Sequence, residues 1–333
     1  MIDCSVMMDL VYSAALNLLV DTMPDAPFYV VLNAGSGHSD TDTTSQTIAN
    51  VLNAAGRAHE IFRVEDPERL REIANEAVAK AQRNDGVVVA AGGDGTLNAV
   101  AQVALASRCR FGVIPQGTFN YFGRTHGISS DAAEAARGLL TARVQPVQVG
   151  MVNGQVFLVN ASLGLYPQSL EDREEQKQRH GRSRMVAAWA GLVTIFRDYQ
   201  PMLLKLEHEG RTHELRTLTL FVGNNRLQLE QLGLDESEVV EDGKLAAIVL
   251  PPVSTVTLLG LAVRGAVGKL GDARGVRRFT FSSITVKPSS RAVRRVKVAT
   301  DGEIKWMSAP IEFSVAPEPL LLLKPVDAVP EEA

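Results

Sequence analysis

Several things are scarce in this chain of 333 residues, and each scarcity excludes a class of protein. It has two cysteines, Cys4 and Cys109, too few for a disulfide framework, so a reducing, cytoplasmic setting is the default expectation. Aromatic residues are only 5%, so the cores must be built mainly from Ala, Val and Leu. Basic charge is not in excess. A net charge of −4 argues against a protein whose whole surface grips nucleic acid. No internal repeat is visible. His59, His126 and His213 have no metal-ligand spacing and read as ordinary surface or structural residues. No GxxxxGK[ST] and no GxGxxG is present, which removes the P-loop and dinucleotide Rossmann classes.

Long apolar runs are scarce as well. The opening segment is apolar, but Asp3 and Asp9 stand where a secretory signal needs Lys or Arg, so residues 1–26 read as a leader or docked helix. Leu245 to Val263 carries no charge, yet Pro251-Pro252 divides it. The reading is a strand, a break and a helix capped near Ser254, not a membrane span.

What the chain does have is a change of pattern near residue 148. Before it, strands and helices alternate: Phe28 to Leu32, Thr44 to Ala55, His59 to Val64, Pro67 to Arg83, Gly86 to Ala91, Thr96 to Ala106, Phe111 to Ile114, and Asp131 to Ala142 with Ser130 as its N-cap. That alternation predicts a parallel, helix-covered sheet over residues 27–148. After it come β-rich runs: Val144 to Val149 and Gln155 to Asn160 around the Asn153-Gly154 hairpin signal, then Met202 to Glu209, Thr212 to Val222, Lys244 to Leu250, Arg278 to Lys287, Arg294 to Thr300 and Ile311 to Val315. These predict an antiparallel sandwich over residues 149–325, interrupted by a charged helix near Ser183 to Arg197, with 326–333 a disordered tail.

Three glycine-bearing loops follow parallel-type strands: Asn33-Ala34-Gly35-Ser36-Gly37, Gly92-Gly93-Asp94-Gly95-Thr96 and Gly117-Thr118-Phe119-Asn120. Glycines let the backbone approach an anion and present N–H groups to it, and a helix start adds positive potential. Strands running parallel would open all three loops on one sheet edge, where open α/β sheets bind nucleotides. Asp94, among these donors, could hold Mg²⁺ beside phosphates.

Read in order, Asn33 to Gly37, the GGDGT at 92–96, IPQGTFNYFGR at 114–124, Asn160 to Gly164, Asp242-Gly243-Lys244-Leu245 and Asp301-Gly302-Glu303 resemble the diacylglycerol kinase catalytic family, which includes bacterial lipid kinases and sphingosine kinases. GGDGT alone is shared with NAD kinases and phosphofructokinases, but the ordered set is more specific. The resemblance implies an α/β nucleotide-binding domain of the NAD kinase/phosphofructokinase type followed by a β-sandwich lipid-substrate domain, with the active site in the interdomain cleft. It implies ATP-dependent, Mg²⁺-assisted phosphorylation of a hydroxyl of diacylglycerol or a related lipid, in phospholipid metabolism.

By position, the three loops would hold the nucleotide. Asp94 and Asp242 would hold metal, and Asp301 would be the general base with Glu303 beside it. On spacing alone Asp301-Gly302 reads as a type I′ turn. Many members carry an acid after the Asn of GTxND, whereas Tyr121 stands here and cannot serve as a carboxylate ligand, so Asp242 reads as a metal ligand or as a turn residue.

Two further features suggest partners. From Arg264 to Lys297 there are ten basic residues against one acid, Asp272. This run, with the apolar helix after Arg184, suggests peripheral contact with anionic lipid headgroups at a membrane surface. No nucleic acid is expected, and a homodimer is left open. The alternatives are a kinase of a soluble metabolite, as in NAD kinase, and a non-catalytic lipid- or nucleotide-binding regulator.

Overall fold

The computed structural model describes residues 25–33, 41–117, 119–164, 201–208, 210–231, 240, 243–254, 257, 276–290 and 292–326. The chain divides into two units: residues 1–147 with 318–331, and residues 148–317 with 332–333.

The first unit is a six-stranded sheet. Its strands are β1 (Phe28–Asn33), β2 (His59–Val64), β3 (Val87–Gly92), β4 (Arg110–Pro115), β5 (Arg143–Val147) and β18 (Leu320–Lys324), in the order β2-β1-β3-β4-β18-β5. All neighbours run parallel except β5, which is antiparallel to β18. The helices are α1 (Thr41–Ala54), α2 (Leu70–Arg83), α3 (Asp94–Ala106), α4 (Tyr121–Thr125) and α5 (Ala132–Thr141). β3 is buried at every residue, as a central strand covered on both faces must be. α2 buries Ala74, Ala77, Val78 and Ala81, a stripe at helical spacing that lets the helix lie close to the sheet.

The helix before β5 starts one residue later than its sequence suggests. Asp131, not Ser130, is the N-cap, and its carboxylate accepts the Glu134 N–H at 2.8 Å. Ser129 Oγ accepts the Asp131 N–H at 3.1 Å and so orients this cap. The segment before α2 is likewise led by a short 3₁₀ turn, Pro67–Arg69, capped by Asp66.

The second unit contains two antiparallel sheets, β10-β9-β14-β17-β6-β7 and β13-β12-β11-β8-β15-β16. The first uses β6 (Gly150–Val152), β7 (Gln155–Phe157), β9 (Met202–His208), β10 (Arg211–Thr217), β14 (Ser283–Pro288) and β17 (Ile311–Val315). The second uses β8 (Asn160–Gly164), β11 (Thr219–Gly223), β12 (Leu245–Leu250), β13 (Arg277–Phe281), β15 (Arg295–Thr300) and β16 (Glu303–Ser308). Phe157, Leu206, Val286 and Phe313 from one sheet meet Leu163, Leu220, Val249 and Phe281 from the other in one buried cluster. A short helix, α6 (Arg226–Gln231), packs Leu229 on the other face of the second sheet, against Ala246 and Ile248.

Three runs expected as single strands are divided. Residues 211–223 pass from one sheet to the other at Leu218, whose N–H bonds Leu250 O at 2.8 Å, and residues 277–288 do the same at Ser282. In each, one interposed residue carries the strand round the corner of a sandwich. The run 144–149 stops at Val147 on the first unit's sheet, and the Asn153-Gly154 hairpin is instead made by the short β6 and β7. β18 is a further difference. The expected sandwich ran to residue 325, but Leu320–Lys324 returns to the first sheet between β4 and β5. Among the described residues no helix is long and apolar enough to cross a membrane. Ser254 Oγ accepts the Thr257 N–H at 3.2 Å, as a cap there would require.

Candidate functional site

The carboxyl ends of β1, β3 and β4 meet at the start of α3. Asn33, the last residue of β1, donates from Nδ2 to Thr96 Oγ1 at 2.8 Å, tying that strand to the first turn of the helix. Gln116, just past β4, donates its N–H to Gly92 O at 2.8 Å. Gly93 is the N-cap of α3 and has no side chain to cover the helix's first N–H groups, so they point outward with the positive end of the helix dipole.

The third loop closes on this point. Asn120 is buried and left-handed, with φ 48°, and its Oδ1 accepts the Gly117 N–H at 2.9 Å. A Cβ on Gly117 would lie 2.8 Å from that oxygen and 3.3 Å from Gly93 Cα. Backbone meets backbone here with no room for a side chain, as a cradle for a phosphate requires. A Cβ on Gly92 would similarly strike the buried Thr96 at 2.7 Å. Asp94 lies in the first turn of α3, on the rim of this cradle. The structure therefore brings together Asn33, Gly92, Gly93, Asp94, Gly95, Thr96, Gly117 and Asn120. Gly35, Ser36, Gly37, Thr118 and Asp242 lie outside the described residues.

Tyr121, the residue after Asn120, is aromatic in its contacts too. Its ring stacks parallel to the exposed Phe119 at 5.9 Å and lies under the Arg124 guanidinium, also at 5.9 Å. Five residues on, His126 meets Phe122 edge-on at 4.7 Å. Burial, with help from the Lys324 charge, pushes its pKa down to about 3. No group of three or more His, Cys, Asp or Glu side chains that could hold a metal exists among the described residues.

In the second unit, Asp301 and Gly302 join β15 to β16. Both have positive φ, 47° and 89°, which is the two-residue turn that the Asp-Gly dipeptide suggests by itself. The Asp301 carboxylate does not project freely from this turn. Oδ2 accepts the Leu158 N–H at 2.7 Å, and Oδ1 accepts those of Val159 and Asn160 at 2.9 and 3.0 Å. The Asp301 N–H in turn donates to Asn160 O at 2.9 Å. The three bonds to the carboxylate commit both of its oxygens to the backbone of residues 158–160. Asp301 thus fixes the entry of β8 to the hairpin.

Glu303, two residues on, is exposed at the start of β16, with Lys305 Nζ 3.1 Å from its Oε2. Sequence reasoning passed over the buried Asn224-Asn225 pair after β11. Asn224 Nδ2 donates to Leu158 O at 3.1 Å and so braces the same β7–β8 corner that Asp301 grips, while Asn225 Oδ1 accepts the Gln228 N–H at 2.9 Å at the start of α6. Two adjacent amides ending an apolar strand were the available signal.

Comparison with known proteins agrees with this anatomy. Residues 27–152 match the diacylglycerol kinase catalytic domain, and residues 172–324 the YegS C-terminal NAD kinase beta sandwich-like domain. The chain is 29% identical over 199 residues to a diacylglycerol kinase of Bacillus subtilis (strain 168), covering 57% of this chain and 63% of that one. It is 29% identical over 209 residues to that of Staphylococcus aureus (strain JH9), covering 60% and 64%. The alignment thus spans less than two thirds of either relative. Among solved structures, a diacylglycerol kinase from Bacillus anthracis str. Sterne superposes with a TM-score of 0.66 at 20% identity, covering 93% of this chain and all of that one. Another from the same organism gives 0.70 at 22%. An α/β unit with a parallel sheet and a β-sandwich, each matched by its own family model, make this a chain with a diacylglycerol kinase catalytic domain at residues 27–152 followed by a YegS C-terminal domain at 172–324.

Proposed function

We propose that this chain is an ATP-dependent lipid kinase that transfers the γ-phosphoryl group of ATP to a hydroxyl of diacylglycerol or a related lipid. The observation that carries the reading is the backbone cradle at the head of α3, where Gly117 abuts Gly93 and three strand ends converge on uncapped N–H groups. The names of the relatives point the same way.

The residues present fit the group. The Gly92–Thr96 turn and Gly117 would receive phosphate oxygens on backbone N–H groups, and Asp94 would supply a carboxylate to Mg²⁺, which usually takes one or two carboxylates and completes its shell with phosphates and water. When bound, Mg·ATP supplies the phosphoryl group and screens its charge as it moves. This chain's own part is to hold the phosphates, exclude competing geometry and take a proton from the lipid hydroxyl as its oxygen bonds to phosphorus.

We assign that proton to Glu303, whose carboxylate is exposed and, among the described residues, carries a surface pairing with Lys305. Asp301 is the positioning residue, because its oxygens are committed to the β8 amides that hold the hairpin in place. The test is transfer from labelled ATP to a total lipid extract by the wild type and by Asp94→Ala. Label in a chloroform-soluble product that the variant does not form supports the reading. Label found only in a water-soluble acceptor such as NAD favours the soluble-metabolite alternative.

A further inference from the structure

The β15–β16 hairpin carries a second feature besides its turn. β16 is the edge of its sheet, paired only with β15 among the described strands. Trp306 stands on it 54% exposed in a protein that contains only two tryptophans. Lys297 lies directly across the ladder from it, and Arg295 two residues along on the same face. Both cations lie against the indole, Lys297 Nζ at 5.3 Å and Arg295 Cζ at 6.0 Å from the ring centroid. Val293 is exposed beside them. Arg294 and Arg295 make no ion pair among the described residues.

We propose that this edge, built on Trp306, Lys297, Arg295 and Val293, is a docking surface for a bilayer of anionic phospholipid. The chemistry is specific to an interface. An indole has an apolar body and a polar N–H, and it settles at headgroup depth. Lysine and arginine laid along its faces keep their stems in the apolar layer and their charges among phosphates. A protein strand is a poor alternative occupant, because Glu303 and Lys305 line the same edge and charged edges resist strand addition.

The proposal rests on the lipid-kinase reading, and it deepens that reading by giving the hairpin a second task. Glu303 lies three residues from Trp306, roughly 10 Å along the strand. The turn fixed by Asp301 makes the two one rigid piece. A docked Trp306 would therefore bring the hairpin that carries the proposed proton acceptor to the membrane surface, with Glu303 on the opposite face of the strand.

The experiment is co-sedimentation of the full chain with vesicles of phosphatidylcholine alone or mixed with phosphatidylglycerol, without ATP, at low and high salt. Trp306 fluorescence quenching by brominated lipid is read in a Trp189→Phe background. The wild type is expected to bind the anionic vesicles, to release them at high salt, and to show quenching of Trp306. Lys297→Ala and Arg295→Ala should each lower the partition by about five-fold. Trp306→Ala should lower it several-fold, with Trp306→Phe in between.

Equal binding to neutral and anionic vesicles, an unquenched Trp306, or variants that bind like the wild type would overturn the proposal. So would a change in oligomeric mass on Trp306→Ala with no change in partition, since a second copy would then be the occupant. Because binding is read without turnover, a protein that docks but transfers no phosphoryl group leaves the surface standing and sinks the kinase reading. One that phosphorylates lipid without preferring anionic vesicles does the reverse.

Discussion

Two carboxylates two residues apart have opposite fates. Asp301 is held by three backbone N–H groups, while Glu303 meets solvent and a lysine. This separates their mutants. Asp301→Asn presents an amide N–H₂ where an acceptor is needed, so it should cost stability, about 1–3 kcal/mol. For a domain of this size that is a drop of several degrees in melting temperature. Glu303→Gln should melt like the wild type but turn over roughly 10²-fold more slowly or worse, the usual scale of general-base loss. Melting curves beside initial rates decide it. An Asp301→Asn protein with wild-type melting and no turnover would return the base to Asp301. The DGE spacing was legible in the sequence, but the different partners of its two carboxylates were not. They depend on where residues 158–160 lie, about 140 positions earlier in the chain.

His126 provides a second residue-scale prediction. Its folded pKa lies below the ordinary imidazole value, at about 3. Above pH 6.5 the ring is neutral folded or unfolded and pH has no effect through it. As pH falls from about 6.5 toward 3, only the unfolded chain takes up the proton, so stability declines across that window. Melting temperature followed from pH 7.5 down to pH 5 should therefore fall more steeply in the wild type than in His126→Gln. Parallel curves would remove the effect.

At the scale of elements, the strongest signals were local ones. The unbroken apolar run before Gly92 was legible as a buried strand, and the glycine loops after β1, β3 and β4 were legible as one edge because parallel strands end together. The start of α5 was displaced by one residue because serine and aspartate compete as caps, and the winner is decided by Ser129. Strands that change sheet at Leu218 and Ser282 read as single runs because the corner costs one residue and leaves no glycine or proline to mark it. β18 was missed for a different reason. A run of four leucines says that it is buried, not in which sheet.

That strand can be tested by removal. Ending the chain after Pro317 deletes the neighbour of both β4 and β5. The first unit holds five of the six α-helices among the described residues, so the helical circular dichroism signal should fall on truncation. The second unit's buried cluster contains no residue beyond Phe313 and should keep its β signal. Retention of the full helical signal would show that the first sheet does not need β18. A milder probe is Gly117→Ala, whose added Cβ meets Asn120 Oδ1 at 2.8 Å. It should weaken ATP binding while leaving vesicle binding intact, as titration calorimetry beside co-sedimentation would show.

At the scale of the whole molecule, one unit carries a phosphate cradle and the other a carboxylate hairpin, in a chain whose relatives are named diacylglycerol kinase. Tyr121 is the departure that bears on the sum. Its ring stacks on Phe119, lies under Arg124 and offers no hard-cation ligand, so a bound Mg²⁺ would have to rely on Asp94. The most direct measurement is transfer of the labelled γ-phosphoryl group from ATP to extracted lipid, for the wild type and Asp94→Ala side by side. The account predicts a phosphorylated lipid from the wild type and none from a folded Asp94→Ala protein. Equal labelling by the two, or no lipid labelled by the wild type, would contradict it.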